Sequence, residues 1–215
     1  MSSVTLPSTT TESSTIPDLP DAAAEMFSRI PQGEWTVEDF FELDQRTNRL
    51  IELVDGRVEF LGMPTFAHQD WVDWLKVELK AYCRLTSFGR VYSSPCPVQT
   101  LPTKWREPDL FVVTSKEWQG LEYAERGVSL ALEVVSPDEK SRHRDLVTKR
   151  LEYAAAGIPE YWIVDPEPRT VTVLSLPAGR SQYAEHGVFG EGQTATSVVL
   201  AGFEADVSEL FAAAE

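Results

Sequence analysis

The sequence predicts an α/β chain of the α+β kind, a mixed β-sheet flanked by helices. Three observations carry this. Short runs rich in β-branched and aromatic residues recur: RVYSSPCPVQTL, PDLFVVT, SLALEVVS, EYWIVD and RTVTVLSL. Two longer stretches, PTFAHQDWVDWLKVELKAYCR and RHRDLVTKRLEYAAAG, have helical patterning. Hairpin signals join adjacent strand-like arms, which excludes a strictly alternating, all-parallel pattern.

Each element has its own local reason. The opening twenty residues, MSSVTLPSTTTESSTIPDLP, are rich in Ser, Thr and Pro, so residues 1–20 are expected to form a disordered tail. Poor packing is expected up to about Thr36. Residues 21–215 then form a single domain. WTVEDFFELDQRTNR begins with Thr36-x-x-Asp39, a capping-box-like start for a short helix. In RLIELVDGRVEFLG, Asp55-Gly56 separates two alternating arms, because a type I′ turn needs positive φ at both central positions. His68, Val72, Leu75, Leu79 and Tyr82 share one face of the first long helix. The second long helix ends at Gly157, a C′ position suited to glycine. PEP joins EYWIVD to RTVTVLSL, and GFEADVSELFAA closes with a short helix.

Composition narrows the function. Of 215 residues, 42% are apolar and 25% charged, as in globular proteins with a real core. No apolar stretch approaches the ~20 residues of a membrane span. No basic segment followed by an apolar one marks secretion. Cys83 and Cys96 make no metal-spaced pair and read as thiols of a reducing cytoplasm. A net charge of -15 argues against non-specific coating of nucleic acid. Basic charge is nonetheless concentrated in KSRHRDLVTKR, where Lys140, Arg142, Arg144, Lys149 and Arg150 face the single acid Asp145. On charge alone this run is a solvated helix face.

The chemistry centres on Glu133, set inside the apolar run SLALEVV. A carboxylate there is costly unless paired. Asp109 follows Pro108 at the head of the preceding strand. If the two strands are neighbours, the carboxylates converge and repel unless a cation lies between them. A hard divalent ion such as Mg²⁺ would resolve this, and could activate water at a phosphodiester. Spacing alone leaves two alternatives equally open: a Lys or Arg partner, or an exposed strand face. Glu52 lies in the first hairpin arm and by itself fits a solvent-facing strand position. Asp145, Lys149 and Tyr153 share one helix stripe, and Val147, Leu151 and Ala154 share another. The polar stripe either lines a cleft or is a surface Asp–Lys pair. His68 reads as a packed histidine with one hydrogen bond.

Taken in order, Glu52-Leu53-Val54-Asp55-Gly56, His68-Gln69, Pro108-Asp109, Glu133-Val134-Val135-Ser136-Pro137, Asp145-x-x-x-Lys149-x-x-x-Tyr153 and Gly157 through Asp165 resemble the Uma-two family of restriction endonucleases. The resemblance runs from about Trp35 to Phe211. It implies the PD-(D/E)xK nuclease superfamily, a restriction-endonuclease-like mixed sheet, and a Mg²⁺-dependent endonuclease acting on DNA, with Mn²⁺ as a possible substitute. It assigns the metal to Asp109 and Glu133. The superfamily lysine belongs two residues after Glu133, where this chain has Val135. Lys149 then resembles a relocated lysine, with Glu52 as an extra acid. Lys140, Arg142 and Arg144 become DNA contacts, and His68, Asp145 and Tyr153 become accessory residues. A homodimer is expected, since cutting two strands takes two sites. The competing reading is a catalytically inactive binding or regulatory module on the same fold.

Overall fold

A computed structural model describes residues 19–114 and 123–215. The expected tail, as far as residue 18, lies outside the described residues. The next stretch corrects the sequence reading. Helix α1 (Asp21–Arg29) packs, with Ala23 and Met26 buried, and Trp35 joins the same core. The polar composition stops at Pro20, and DAAAEMFSRI has enough apolar surface to bury one helix face. Helix α2 (Val37–Asp44) starts on the expected capping box. The Asp39 N–H donates to Thr36 Oγ1 at 3.1 Å, and the Thr36 N–H donates to Asp39 Oδ2 at 3.2 Å.

Strands β1 (Ile51–Val54) and β2 (Arg57–Phe60) form the expected hairpin, with φ of 49° at Asp55 and 74° at Gly56. Gly56 is required twice over, because a Cβ there would lie 2.5 Å from the Gly33 carbonyl oxygen. Helix α3 (Phe66–Thr86) is capped by Thr65 and buries Val72, Leu75, Leu79 and Cys83. The run RVYSSPCPVQTL divides into β3 (Gly89–Ser93) and β4 (Val98–Leu101), which belong to different sheets. β5 (Lys104–Arg106) is too short for any period to reveal. β6 (Leu110–Thr114) and β7 (Val128–Val134) follow. Next come α4 (Glu139–His143), a π-helical turn over Arg144–Thr148, and α5 (Lys149–Ala155). β8 (Glu160–Asp165), β9 (Thr170–Ser175), β10 (Ala184–Gly190), β11 (Thr194–Thr196), β12 (Glu204–Asp206) and α6 (Val207–Ala212) complete the chain.

The strands form a six-stranded sheet, β10-β9-β8-β7-β6-β3, a four-stranded sheet, β2-β1-β5-β4, and the small pair β11-β12. In the large sheet only β7 and β8 run parallel, joined by the α4–α5 crossover. The fold is therefore the mixed sheet with flanking helices that the hairpins and helical stretches imply. β7 is buried along its whole length. Leu130, Leu132 and Val134 join the core beneath α3 and α6, while Ala131 joins Tyr153, Ala154 and Tyr161 on the α5 side. Period two then sets Glu133 on the α5 side.

One buried carboxylate is purely architectural. Glu160 is fully buried and accepts from Trp162 Nε1, Ser197 Oγ and the Val198 N–H, each at 2.6 Å, and from the Val199 N–H at 2.9 Å. It ties the segment between β11 and β12 to the large sheet. Glu160→Ala strands four donors at once, so a loss of ~3 kcal/mol or more is expected in urea unfolding. An unchanged midpoint would show that these donors find other acceptors.

Candidate active site

β6 and β7 are antiparallel neighbours with Leu110 opposite Leu132, and this register extends to set Asp109 across from Glu133. The convergence expected of the two acids is therefore present. Asp109 Oδ2 accepts from the Val134 N–H at 2.7 Å, and Oδ1 lies 3.1 Å from His68 Nε2. Glu133 Oε1 accepts from Lys149 Nζ at 2.8 Å and from the Tyr153 hydroxyl at 2.6 Å. Both bonds fall on Oε1, which leaves Oε2 with capacity for another partner.

Lys149 is no surface residue. It is 1% exposed, and its ammonium lies 2.8 Å from Glu133, 3.1 Å from Glu52 and 3.7 Å from Asp145. The helix stripes thus depart from a simple amphipathic reading. Asp145, Lys149 and Tyr153 are buried, and of the apolar stripe Ala154 is buried too, whereas Val147 and Leu151 are 44% and 57% exposed. Carboxylates presented by β1 and β7 draw the polar stripe inward, and its ion pairs outweigh two aliphatic side chains. The Lys149 N–H bonds to the Arg144 carbonyl, an i to i−5 bond that defines the π turn.

Glu52 sits behind Lys149. It is fully buried and is not among the residues that line the cavity described below. Its Oε2 accepts from Arg106 Nη1 at 2.7 Å and its Oε1 from the Glu107 N–H at 3.0 Å. Arg106 also forks onto Glu152 at 2.7 and 3.0 Å, and Lys104 reaches Glu152 at 3.0 Å. This chain of charges stitches the four-stranded sheet to α5. Glu52 therefore positions the ammonium rather than reaching the open space.

The titration behaviour follows from this crowding. Burial drives Glu133 up to about 8; Lys149 opposes the shift, and Asp145 and Asp109 reinforce it. Burial also works against Glu52, but Lys149, Arg106 and the Glu107 N–H hold it down at about 2. Burial raises Glu107 to about 8, with Asp44 and Glu52 adding to the effect of the desolvation and the Cys96 N–H opposing it. For His68, burial favours the neutral ring, yet the Asp109 hydrogen bond and the charges of Asp109 and Asp145 raise its pKa.

A cavity of about 1090 Å³ opens onto this cluster, with Asp109, Glu133, Asp145, Lys149, His68 and Arg144 on its wall. Of the basic residues expected to hold phosphate, Arg142 also lines it but is forked onto Asp165 at 2.9 and 2.7 Å. Arg144 pairs with Asp145 at 3.3 Å, and Lys140 is exposed on α4, outside the lining. Among the described residues, no set of three or more His, Cys, Asp or Glu surrounds one point suited to a metal. The donors nonetheless fit a hard divalent ion that keeps most of its water: two carboxylates on one wall, a vacant Glu133 oxygen, and mutual repulsion that a cation would relieve. Arg106, Glu107 and Glu152 were not singled out from the sequence. WREPDL, with two charges immediately before Pro108-Asp109, carried the signal for the first two. Glu152, one turn after Lys149, shares its buried side.

Residues 37–208 match the family model described as "Uma2: Putative restriction endonuclease". The fold is similar to a crystal structure of a "putative nuclease belonging to DUF820" from Anabaena variabilis, at a TM-score of 0.68. That match has 16% sequence identity and covers 84% of this chain and 99% of the other, so the likeness is one of fold. No curated protein matches the sequence.

Proposed function

Because the chain belongs to the Uma2 family of restriction endonucleases, we propose that it is a metal-dependent endonuclease hydrolysing DNA phosphodiester bonds at the Asp109–Glu133–Lys149 site. The observation that carries this reading is the Lys149–Glu133 contact of 2.8 Å. It brings an ammonium to the carboxylate from α5, where Val135 cannot supply one.

Asp109 and Glu133 would hold Mg²⁺, or Mn²⁺ in its place. When bound, the ion supplies Lewis-acid polarisation of the phosphate and a lowered pKa for attacking water. The protein residues do the rest. The Val134 N–H and His68 fix the two oxygens of Asp109, and Tyr153 and Lys149 fix one oxygen of Glu133. Glu52 and Asp145 hold the ammonium in place, so that it meets developing negative charge without reorganising. Water attacks phosphorus, giving up its proton to solvent, and the P–O bond to the leaving strand breaks as the leaving oxygen takes a proton from solvent. Arg142 and Arg144 on the cavity wall, with Lys140 beyond it, hold flanking phosphates.

Calorimetric titration of Mg²⁺ or Mn²⁺ tests the metal assignment. Wild type should bind and Asp109→Ala should not; equal binding, or none in either, counts against it. One observation favours the inactive module instead: three carboxylates already surround Lys149, leaving little charge to spare. A wild type that cuts no DNA in either metal decides for that reading.

In this proposal residues 21–215 act as one nuclease domain behind the tail, in the cytoplasm. Among the described residues no helix is long and apolar enough to cross a membrane. Two-strand cleavage further calls for a homodimer with paired sites. Light scattering should return twice the monomer mass of 24.1 kDa, and a monomer at all concentrations removes this part.

A further inference from the structure

The cavity is larger than the proposed chemistry requires. The acids and Lys149 make up only part of the lining of the 1090 Å³ space. Leu50, Leu61, Met63, Pro64, Trp71 and Val72 also line it. These residues come from the loop before β1, the loop after β2 and the start of α3. They share one cavity with the reactive groups, and Met63 is 71% exposed. Two amides, Asn48 and Gln69, also border the space. Among the described residues, neither side chain makes a hydrogen bond, so each offers a free donor and a free acceptor. Ser94 also lines the space, but its Oγ is buried beside the Glu107 carboxyl and is not presented to a ligand.

An apolar wall with two unspent amides suits a flat heteroaromatic ring with a polar edge. A phosphate and its cation would use none of these side chains. A base seated in such a pocket has to leave the stack first.

We propose that the apolar part of this lining forms a nucleobase pocket, which takes one unstacked base next to the phosphate held at Asp109, Glu133 and Lys149. The proposal rests on the nuclease reading and names the form of its substrate: a nucleotide freed from the stack, in a single strand or at a distorted step. Apolar and stacking contacts bind the base face, while Asn48 and Gln69 meet its edge. The protein then binds a nucleotide better than the phosphate alone.

Gly62 provides a clean test. It lines the cavity, and a Cβ built there has nothing within 4 Å. Gly62→Phe can therefore start a side chain at the cavity wall without a clash at its Cβ. Met63→Asp is a second variant that places a charge on the apolar wall at an exposed position. Calorimetry on the full chain with Ca²⁺ would compare inorganic phosphate with the four deoxynucleoside 5′-monophosphates. Wild type should prefer the nucleotides by ~10-fold or more, the scale of one base contact. Both variants should lose that preference and keep phosphate affinity. Cleavage of DNA by wild type with equal affinity for nucleotide and phosphate overturns the base pocket and leaves the nuclease reading intact. Preference unchanged in both variants also overturns the pocket. No cleavage together with no phosphate binding overturns both.

Discussion

Lys149→Ala should lower the rate of DNA cleavage by ~10²-fold or more, the scale of losing one preorganised electrostatic stabiliser. DNA affinity should change little, since one phosphate contact among several is modest. Burial complicates the experiment. The substitution leaves Glu52, Glu133 and Asp145 without their shared ammonium, and breaking a buried pair in this way costs ~3–5 kcal/mol of stability. The rate must therefore be measured where circular dichroism shows the variant folded. Tyr153→Phe serves as the control. It removes the other donor to Glu133, at 2.6 Å, and keeps the ammonium. If Lys149 acts only by orienting Glu133, the two substitutions should slow cleavage alike. If its charge acts on the phosphate, Tyr153→Phe should remain far faster. A folded Lys149→Ala protein with wild-type activity would sink the relocated-lysine mechanism.

Without divalent cations, stability should fall as pH rises from about 4.5 to about 8. The sign comes from Glu133 and Glu107, both raised from 4.5 to about 8 in the folded protein. Between those values the folded state holds protons that the unfolded state has released. Stability is thus complete below the unfolded value and is lost as pH climbs through the folded one. Glu52 works in a different window. Its folded value of about 2 means that its contribution is complete above 4.5 and is lost only as acid approaches 2. A stability maximum near pH 5 follows. The alkaline loss should be on the order of a few kcal/mol. Mg²⁺ should flatten it, because a cation between Asp109 and Glu133 replaces the proton. Thermal melts across this range, with chelator and with excess Mg²⁺, read the effect. Stability that climbs with pH in chelator would contradict the burial of these acids, and a slope indifferent to Mg²⁺ would contradict the metal site.

Much of the fold was legible because its signals are local. Asp55-Gly56, Thr36-x-x-Asp39 and the face of α3 each depend on a few neighbouring residues, and each forms as expected. β5, β11 and β12 are three residues long, too short for any period. α1 was obscured by the polar tail before it. At the site, Asp109 and Glu133 could be found because a carboxylate at a strand position among aliphatic residues is anomalous. The inward turn of Lys149 could not be read from its helix alone. What draws it in is Glu133 on β7 together with Glu52, nearly a hundred residues earlier on the four-stranded sheet. Arg106 and Glu107 escaped for a related reason: short charged strands look like surface until their partners are known.

The four-stranded sheet has its own small core, built from Phe40, Leu43, Ile51, Leu53, Val58 and Trp105, separate from the two cores of the large sheet. It meets α5 through the Arg106–Glu152 ion pair, and β4 adds Val98 to the apolar core that holds Tyr153 and Ala154 of α5. Such a unit can open at a lower free energy than the whole molecule. When it opens, Glu52 leaves Lys149, and Asn48, Leu50, Leu61 and Met63 leave the cavity, while β6 and β7 keep their pairing. The proposed activity and global stability should therefore be separable. Mild denaturant, or a lesion in the small core far from Asp109 and Glu133, should abolish the proposed nuclease activity while most of the backbone amides stay protected from exchange.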